Sequence, residues 1–155
     1  LVLIFGGIIL GLADRLGRQS LQFNNIGFRS GAIAGFAQAL ALIPGVSRSA
    51  ATISAMRALG FNRLAALKFS FLLAIPAVLA SGIFELINSL SNPELSRFTG
   101  AQTMVATSVS FISGYIVIAW LLRFVERRSF APFVAYRILL GALLIILLAS
   151  GKITT

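Results

Sequence analysis

Arginine flanked by hydroxyl residues, Ser47-Arg48-Ser49, follows the break Pro44-Gly45, and Thr52 comes one helical turn later. The surroundings are so apolar that this charge reads as lying at bilayer depth. A charged side chain there costs at least ~2.5 kcal/mol, so it lines a water-filled cavity or meets a partner. If a helix begins just after the break, Ser47 can cap it, and its first turn presents unpaired N–H groups and the positive end of the helix dipole. Helical spacing sets Arg48 and Thr52 on one face at i, i+4 and Ser49 beside Thr52 at i, i+3. A guanidinium fork, hydroxyls and backbone N–H groups converging on one point suit a tetrahedral oxyanion such as phosphate. Gln38, in the preceding apolar piece, either adds a donor to this set or hydrogen-bonds between helices. Three readings fit the pattern: a phosphate-handling site, an ion or substrate site of a secondary transporter, and a structural interhelical arginine. Spacing alone leaves all three open.

The chain that must position these residues reads as a membrane protein. Of its 155 residues 58% are hydrophobic and 11% charged, with a mean hydropathy of +0.97, which places it in the integral membrane class. The net charge of +9 does not point to nucleic acid, because the basic residues are dispersed at the ends of apolar runs, as in Arg15 with Arg18 and Arg127 with Arg128. That placement follows the positive-inside pattern rather than a basic groove. The sequence holds no cysteine and no histidine, which excludes a disulfide framework, a thiol nucleophile, a zinc site or a histidine base built from these residues.

Periodicity and length predict an all-α, polytopic architecture in a single membrane domain over residues 1–155. The run Leu1 to Leu12 is too short to span a ~30 Å hydrocarbon core and reads as the tail of a transmembrane helix over 1–13, so the chain is expected to be a fragment. Three runs are long enough to span, at 64–90, 101–125 and 132–150, the first interrupted by Pro76 and expected to kink there. Between Gly31 and Gly60, two apolar pieces, Gly31 to Ile43 and Ser49 to Leu59, meet at Pro44-Gly45. Each falls short of the ~17 residues a span requires, which predicts a re-entrant helical hairpin over 31–60 rather than two crossings. One long helix kinked at Pro44 is the alternative. Gly27, Gly31 and Gly35 recur every fourth position and read as a close-packing face. The pair Gly7 and Gly11 is ascribed to the general frequency of glycine in membrane helices. Arg15, Arg18 and Arg29 before the hairpin and Arg57, Arg63 and Lys68 after it put both its feet, with the Arg127 loop, in the cytoplasm. The Asn92 loop, where Arg97 opposes Glu94, and the C-terminus near Lys152 are expected outside.

Residues 35–53, GFAQALALIPGVSRSAATI, carry a strong resemblance. This stretch resembles the second signature of the bacterial undecaprenyl-diphosphate phosphatases, also called bacitracin resistance proteins. Phe69-Ser70-Phe71-Leu72-Leu73-Ala74-Ile75-Pro76 is similar to that family's next helix, and Tyr136-Arg137-Ile138 with Gly141 to its last. Ala50 departs from the family pattern, which has glycine there. The resemblance implies hydrolysis of undecaprenyl diphosphate to undecaprenyl phosphate and inorganic phosphate, recycling the lipid carrier of peptidoglycan synthesis. It also implies two inverted repeats, each with a re-entrant hairpin, whose tips meet in a site open to the extracytoplasmic side of the inner membrane. This chain then corresponds to the second repeat. On that pattern Ser47, Arg48 and Thr52 carry over as phosphate-binding residues, and with the spacing argument the expected site has Ser47 and Arg48 as catalytic and Ser47, Arg48, Ser49, Thr52 and Gln38 as substrate-binding. The family's glutamate-rich motif, serine and histidine belong to the first repeat. A divalent cation, Mg or Ca, is implied as cofactor with its ligands in that first repeat and none in this chain. Implied partners are the polyprenyl diphosphate, membrane lipids, the first repeat and, among assemblies, a homodimer. Hydrolysing a diphosphate needs a nucleophile with a base or a metal-activated water. The acids here, Asp14, Glu85, Glu94 and Glu126, fall at expected helix ends or in loops, so the chain reads as a phosphate cradle without catalytic carboxylates.

Overall fold

The computed structural model describes residues 2–91 and 99–150. Within them the chain is all-α, with helices α1 (Val2–Leu16), α2 (Phe28–Ala39), α3 (Arg48–Ala58), α4 (Arg63–Ser91), α5 (Gly100–Arg127) and α6 (Ala131–Ala149). Short 3-10 turns at Phe23–Asn25 and Leu40–Leu42 lead into and out of α2. The expected Asn92 loop, with Glu94 and Arg97, and Lys152 lie outside the described residues.

α4, α5 and α6 have 29, 28 and 19 residues. At 1.5 Å per residue they run about 43, 42 and 28 Å, which matches or exceeds a hydrocarbon core of ~30 Å. Their large apolar side chains, among them Leu72, Ile83, Phe84, Phe111, Ile116, Trp120 and Leu139, face outward, as a lipid-facing surface requires. α4 continues through Pro76 to Ser91, one residue beyond the expected end of the 64–90 run. Capping residues set the helix starts. Asn62 accepts the Ala65 N–H at 2.8 Å at the head of α4, and Thr99 and Gln102 exchange bonds of 3.3 and 2.9 Å at the head of α5.

α2 and α3 have 12 and 11 residues, or about 18 and 16 Å, roughly half a bilayer core each. They pack against each other as a hairpin that starts at Phe28, three residues before the expected Gly31, and its second helix begins at Arg48. The turn needs Gly45, whose φ of +90° lies in the left-handed region that L side chains avoid. Gly60, at φ +93°, ends the hairpin in the same way. Its two feet are tied together: Leu21 pairs with Phe61 in an isolated parallel bridge, through Leu21 N–H to Gly60 O at 3.1 Å and Asn62 N–H to Leu21 O at 2.8 Å.

α3, with sequence RSAATISAMRA, is the least apolar of the six described α-helices, yet it is the centre of the molecule. It packs against α1, α2 and α4, and Ala50, Thr52, Ile53, Ser54, Met56 and Arg57 are buried. Small and polar residues inside with apolar ones outside is the arrangement lipid selects, since small side chains let helices approach. The glycines reverse the sequence expectation. A Cβ at Gly7 would touch Ile138 at 3.4 Å and one at Gly11 would press on Val134 at 3.3 Å, so this pair is the close face of α1 against α6. Gly27 and Gly35 face open space within 4 Å and Gly31 meets only Phe69 at 3.7 Å.

Candidate functional site

The hairpin tip carries the chemistry-bearing residues. Ser47, extended at ψ 122°, is the N-cap of α3, and its Oγ accepts the Ala50 N–H at 3.3 Å. Its carbonyl accepts the Ala51 N–H at 3.0 Å. The N–H groups of Arg48 and Ser49, in the first turn, have no intrahelical carbonyl to meet, and the side chains of both residues are exposed at the tip. Charge, hydroxyl and the positive helix end are therefore displayed together where the hairpin turns.

Thr52 and Gln38 lie beneath the tip. Thr52 is fully buried, and its Oγ1 lies 3.1 Å from the Arg48 carbonyl and 3.3 Å from Gln38 Oε1, with the hydroxyl as donor. Gln38 Nε2 in turn makes a long 3.5 Å bond to the Leu73 carbonyl of α4. Gln38 thus bridges α2, α3 and α4, one of the two roles weighed for it from sequence, and the Thr52 hydroxyl is turned toward Gln38 rather than out of the tip.

At the opposite end of the hairpin lies a charged cluster that sequence reasoning missed. Asp14 is 6% exposed and Arg57 is 0% exposed. The carboxylate accepts from Arg57 Nε at 3.2 Å, Arg63 Nε at 2.7 Å and Nη2 at 3.1 Å, and the Phe130 N–H at 3.3 Å. Arg57 also donates to carbonyls of Asp14 at 2.7 Å, Gly17 at 3.0 Å, Arg18 at 3.4 Å and Phe61 at 2.6 Å. The guanidinium thereby closes the C-terminal carbonyls of α1, and the carboxylate faces the N-terminus of α6, each sign meeting the helix end it favours. Arg57 and Arg63 were read from sequence as cytoplasmic flanking charges and Asp14 as a loose helix end. The structure brings them together in one joint between α1, α3, α4 and α6, with Asp14 and Arg57 buried and Arg63 partly so. The i to i+4 spacing of Arg57 and Phe61 was visible in sequence; the Asp14 partner, 43 residues away, was not.

A cavity of about 850 Å³ opens between α1, the hairpin and α6. Its walls are apolar, from Phe5, Ile9, Leu40 and Val46, with Ser47, Ser54 and Arg137 as polar points. The remaining described acids stand apart from the tip: Glu85 is exposed within α4 and Glu126 is exposed at the end of α5. Among the described residues no three acids, histidines or cysteines converge in a way that could hold a metal ion, and Asp14 is held by two arginines. The described residues offer no site for the divalent cation that the resemblance implies, whose ligands are expected in the first repeat.

Three helices long and apolar enough to cross a membrane, with the short helix α3 packed among α1, α2 and α4, define a multi-pass helical membrane protein. Residues 1–143 match the family described as bacitracin resistance protein BacA, and the chain belongs to it. It is 52% identical over 154 residues to the undecaprenyl-diphosphatase of Micrococcus luteus, covering 99% of this chain and 56% of that protein. The undecaprenyl-diphosphatase of Nocardioides sp. is 52% identical over 151 residues, covering 97% of this chain and 54% of the relative. Undecaprenyl-diphosphatase 2 of Streptomyces coelicolor is 46% identical over 165 residues, with 99% and 56% covered. The chain spans about half the length of these curated relatives.

Proposed function

We propose that this chain forms the phosphate-gripping half of a bacterial inner-membrane enzyme that hydrolyses undecaprenyl diphosphate to undecaprenyl phosphate and inorganic phosphate. The observation that carries this is the Ser47-capped start of α3, displaying Arg48 and Ser49 at a turn that Pro44-Gly45 forces, in a chain whose relatives are named undecaprenyl-diphosphatases. Arg48 holds two phosphate oxygens with its planar fork, and the first-turn N–H groups and the Ser49 hydroxyl supply further donors. As negative charge shifts on the phosphoryl oxygens and the leaving oxygen, these fixed dipoles stabilise it without reorganising. Thr52 and Gln38 act as positioning residues, pinning the first turn of α3 to α2 and α4.

The hairpin enters and leaves the membrane on one side in this reading. Support comes from the tied feet at Leu21 and Phe61 and from the Asp14 joint, which puts the α5–α6 turn at the same end. That end is cytoplasmic by its basic residues, and the tip reaches the middle of the membrane in a site open to the extracytoplasmic side. The attacking group and its base, with any divalent cation, come from the first repeat that the family resemblance implies, and that repeat is the principal partner. Lipids surround α4 to α6, and a homodimer is compatible with the same outer faces.

The test is phosphate release from a polyprenyl diphosphate by the protein that carries this sequence, measured per folded molecule. Arg48→Lys keeps the charge and loses the fork, so turnover is expected to fall about 100- to 1000-fold, the usual loss for one preorganised donor. Wild-type turnover in both Arg48→Lys and Arg48→Ala overturns the assignment. Substrate flux across the membrane without phosphate release would establish a transporter instead.

A further inference from the structure

Among the described residues, Arg137 is the one charged residue lining the cavity, and neither the tip nor the Asp14 joint uses it. It sits on α6 against α1, where the absence of side chains at Gly6 and Gly7 makes room for it: a Cβ at Gly6 would stand 3.0 Å from Nη2 and one at Gly7 3.4 Å from the Arg137 Cβ. Nε and Nη2 are both buried and meet no hydrogen-bond partner among the described residues, and the Ser54 Oγ, on another wall of the same cavity, is buried without one too. The ion pairs found are those of Asp14 with Arg57 and Arg63, so no described carboxylate neutralises Arg137. Arg137 as a whole is half-buried, but two enclosed guanidinium nitrogens without a protein partner are costly, and in a membrane protein such a residue marks a ligand or a relay. The cavity volume of about 850 Å³ falls in the range of small-molecule sites, which pair apolar walls with a few placed polar groups.

We propose that this cavity is a second phosphate subsite, in which Arg137, with Ser54 and Ser47, holds a phosphate group of a lipid diphosphate while the apolar walls of α1 and the hairpin take the adjoining isoprenoid units. Ser47 belongs both to the tip and to the cavity lining, so the subsite is continuous with the Arg48 end. The inference rests on the phosphatase reading and deepens it: Arg48 faces one phosphate and Arg137 the other, which lets the site distinguish a diphosphate from a monophosphate product. Apolar walls favour the lipid-linked anion over a free one, although inorganic diphosphate shares the recognised chemistry.

The experiment measures binding of farnesyl diphosphate, farnesyl monophosphate, farnesol and inorganic diphosphate to the protein that carries this sequence, in nanodiscs. Arg137→Met, of similar length and uncharged, is expected to weaken farnesyl diphosphate about 10- to 100-fold, the scale of a lost charge-assisted contact, and to leave farnesol unchanged. Gly6→Ala keeps every charge and a good helix former but pushes on Nη2, so it is expected to weaken the diphosphate in the same direction. Farnesyl monophosphate should lose less than the diphosphate. Unchanged diphosphate affinity in both variants, or a loss of folded yield with normal affinity per folded molecule, overturns the subsite. Inorganic diphosphate binding as tightly as the farnesyl compound overturns the role of the apolar walls. Failure of the wild-type protein to bind any diphosphate brings down the parent reading and this one together, whereas wild-type binding that depends on Arg48 and not on Arg137 brings down this one alone.

Discussion

Arg48 and Thr52 lie one turn apart on α3 and look equivalent in sequence, but the structure separates their work. Arg48 is exposed at the tip, while Thr52 is fully enclosed with its hydroxyl against Gln38 and the Arg48 carbonyl. Thr52→Val keeps the shape and removes the donor, leaving the Gln38 acceptor without it in a buried place. A loss of about 1–3 kcal/mol in stability is expected, together with a modest fall in turnover that Thr52→Ser restores. Thermal unfolding in detergent and phosphate release on the same samples decide it. A large fall in turnover at unchanged stability would mean that Thr52 touches the phosphate itself. Ser47→Ala removes the α3 cap and should cost about 1 kcal/mol, with a smaller effect on turnover than Arg48→Lys. The capping role of Ser47 was legible in the sequence because capping is local: a serine after a proline-glycine break and before a helix-forming run has little else to do. Where the Thr52 hydroxyl points was not, because Gln38 reaches it across the hairpin from 14 residues away.

The helices themselves were legible for a similar reason. Runs of apolar residues of spanning length declare α4 to α6 without reference to neighbours, and two short pieces around Pro44-Gly45 declare α2 and α3. Which faces meet could not be read in that way. Gly7 and Gly11 turned out to be the contact face and Gly27 and Gly35 face open space, since a fourfold spacing shows that a face can pack but not against what. The Asp14 joint is the clearest case, with three charges that look solvated in sequence drawn to one meeting point of helix ends, Asp14 and Arg57 buried and Arg63 partly so. Asp14→Ala leaves two guanidinium groups with no counter-charge there, and breaking a buried pair in this way typically costs about 3–5 kcal/mol. Arg57→Lys is not expected to rescue the Arg57→Ala loss, because one ammonium cannot reach the five oxygens that Arg57 serves. Unfolding of Asp14→Ala, Arg57→Ala and the double variant gives the coupling directly. Strictly additive losses would show that the two side chains do not act as one joint.

For the molecule as a whole, the joint and the Leu21–Phe61 bridge fix which ends lie together, and this is the geometry that a re-entrant hairpin needs. Single cysteines at Asn24, Ala58 and Arg128 should resist an impermeant label applied outside intact cells, while one at Thr99, at the far end of α5, should react. Opposite behaviour of Asn24 and Ala58 would make the hairpin a crossing and remove the tip from mid-membrane. If the hairpin stands, the tip can bind and orient a phosphate, but no described carboxylate reaches it: Asp14 is held at the other end of the hairpin, and Glu85 and Glu126 face outward on α4 and α5. Attack on phosphorus needs a nucleophile activated by a base or a metal, and a grip alone lowers the barrier only for a reaction that some other group begins. Since the chain covers about half of each relative, the expected outcome is that these residues alone bind farnesyl diphosphate but release no phosphate. Co-expression with the N-terminal part of the Micrococcus luteus relative should restore release, and Arg48→Lys in this chain should abolish the restored activity. The measurement is phosphate released per folded molecule by the chain alone, by the other part alone and by the pair. Release by the chain alone, lost on Arg48→Lys, would place nucleophile and base among residues 1–155 and refute the division of labour between grip and attack.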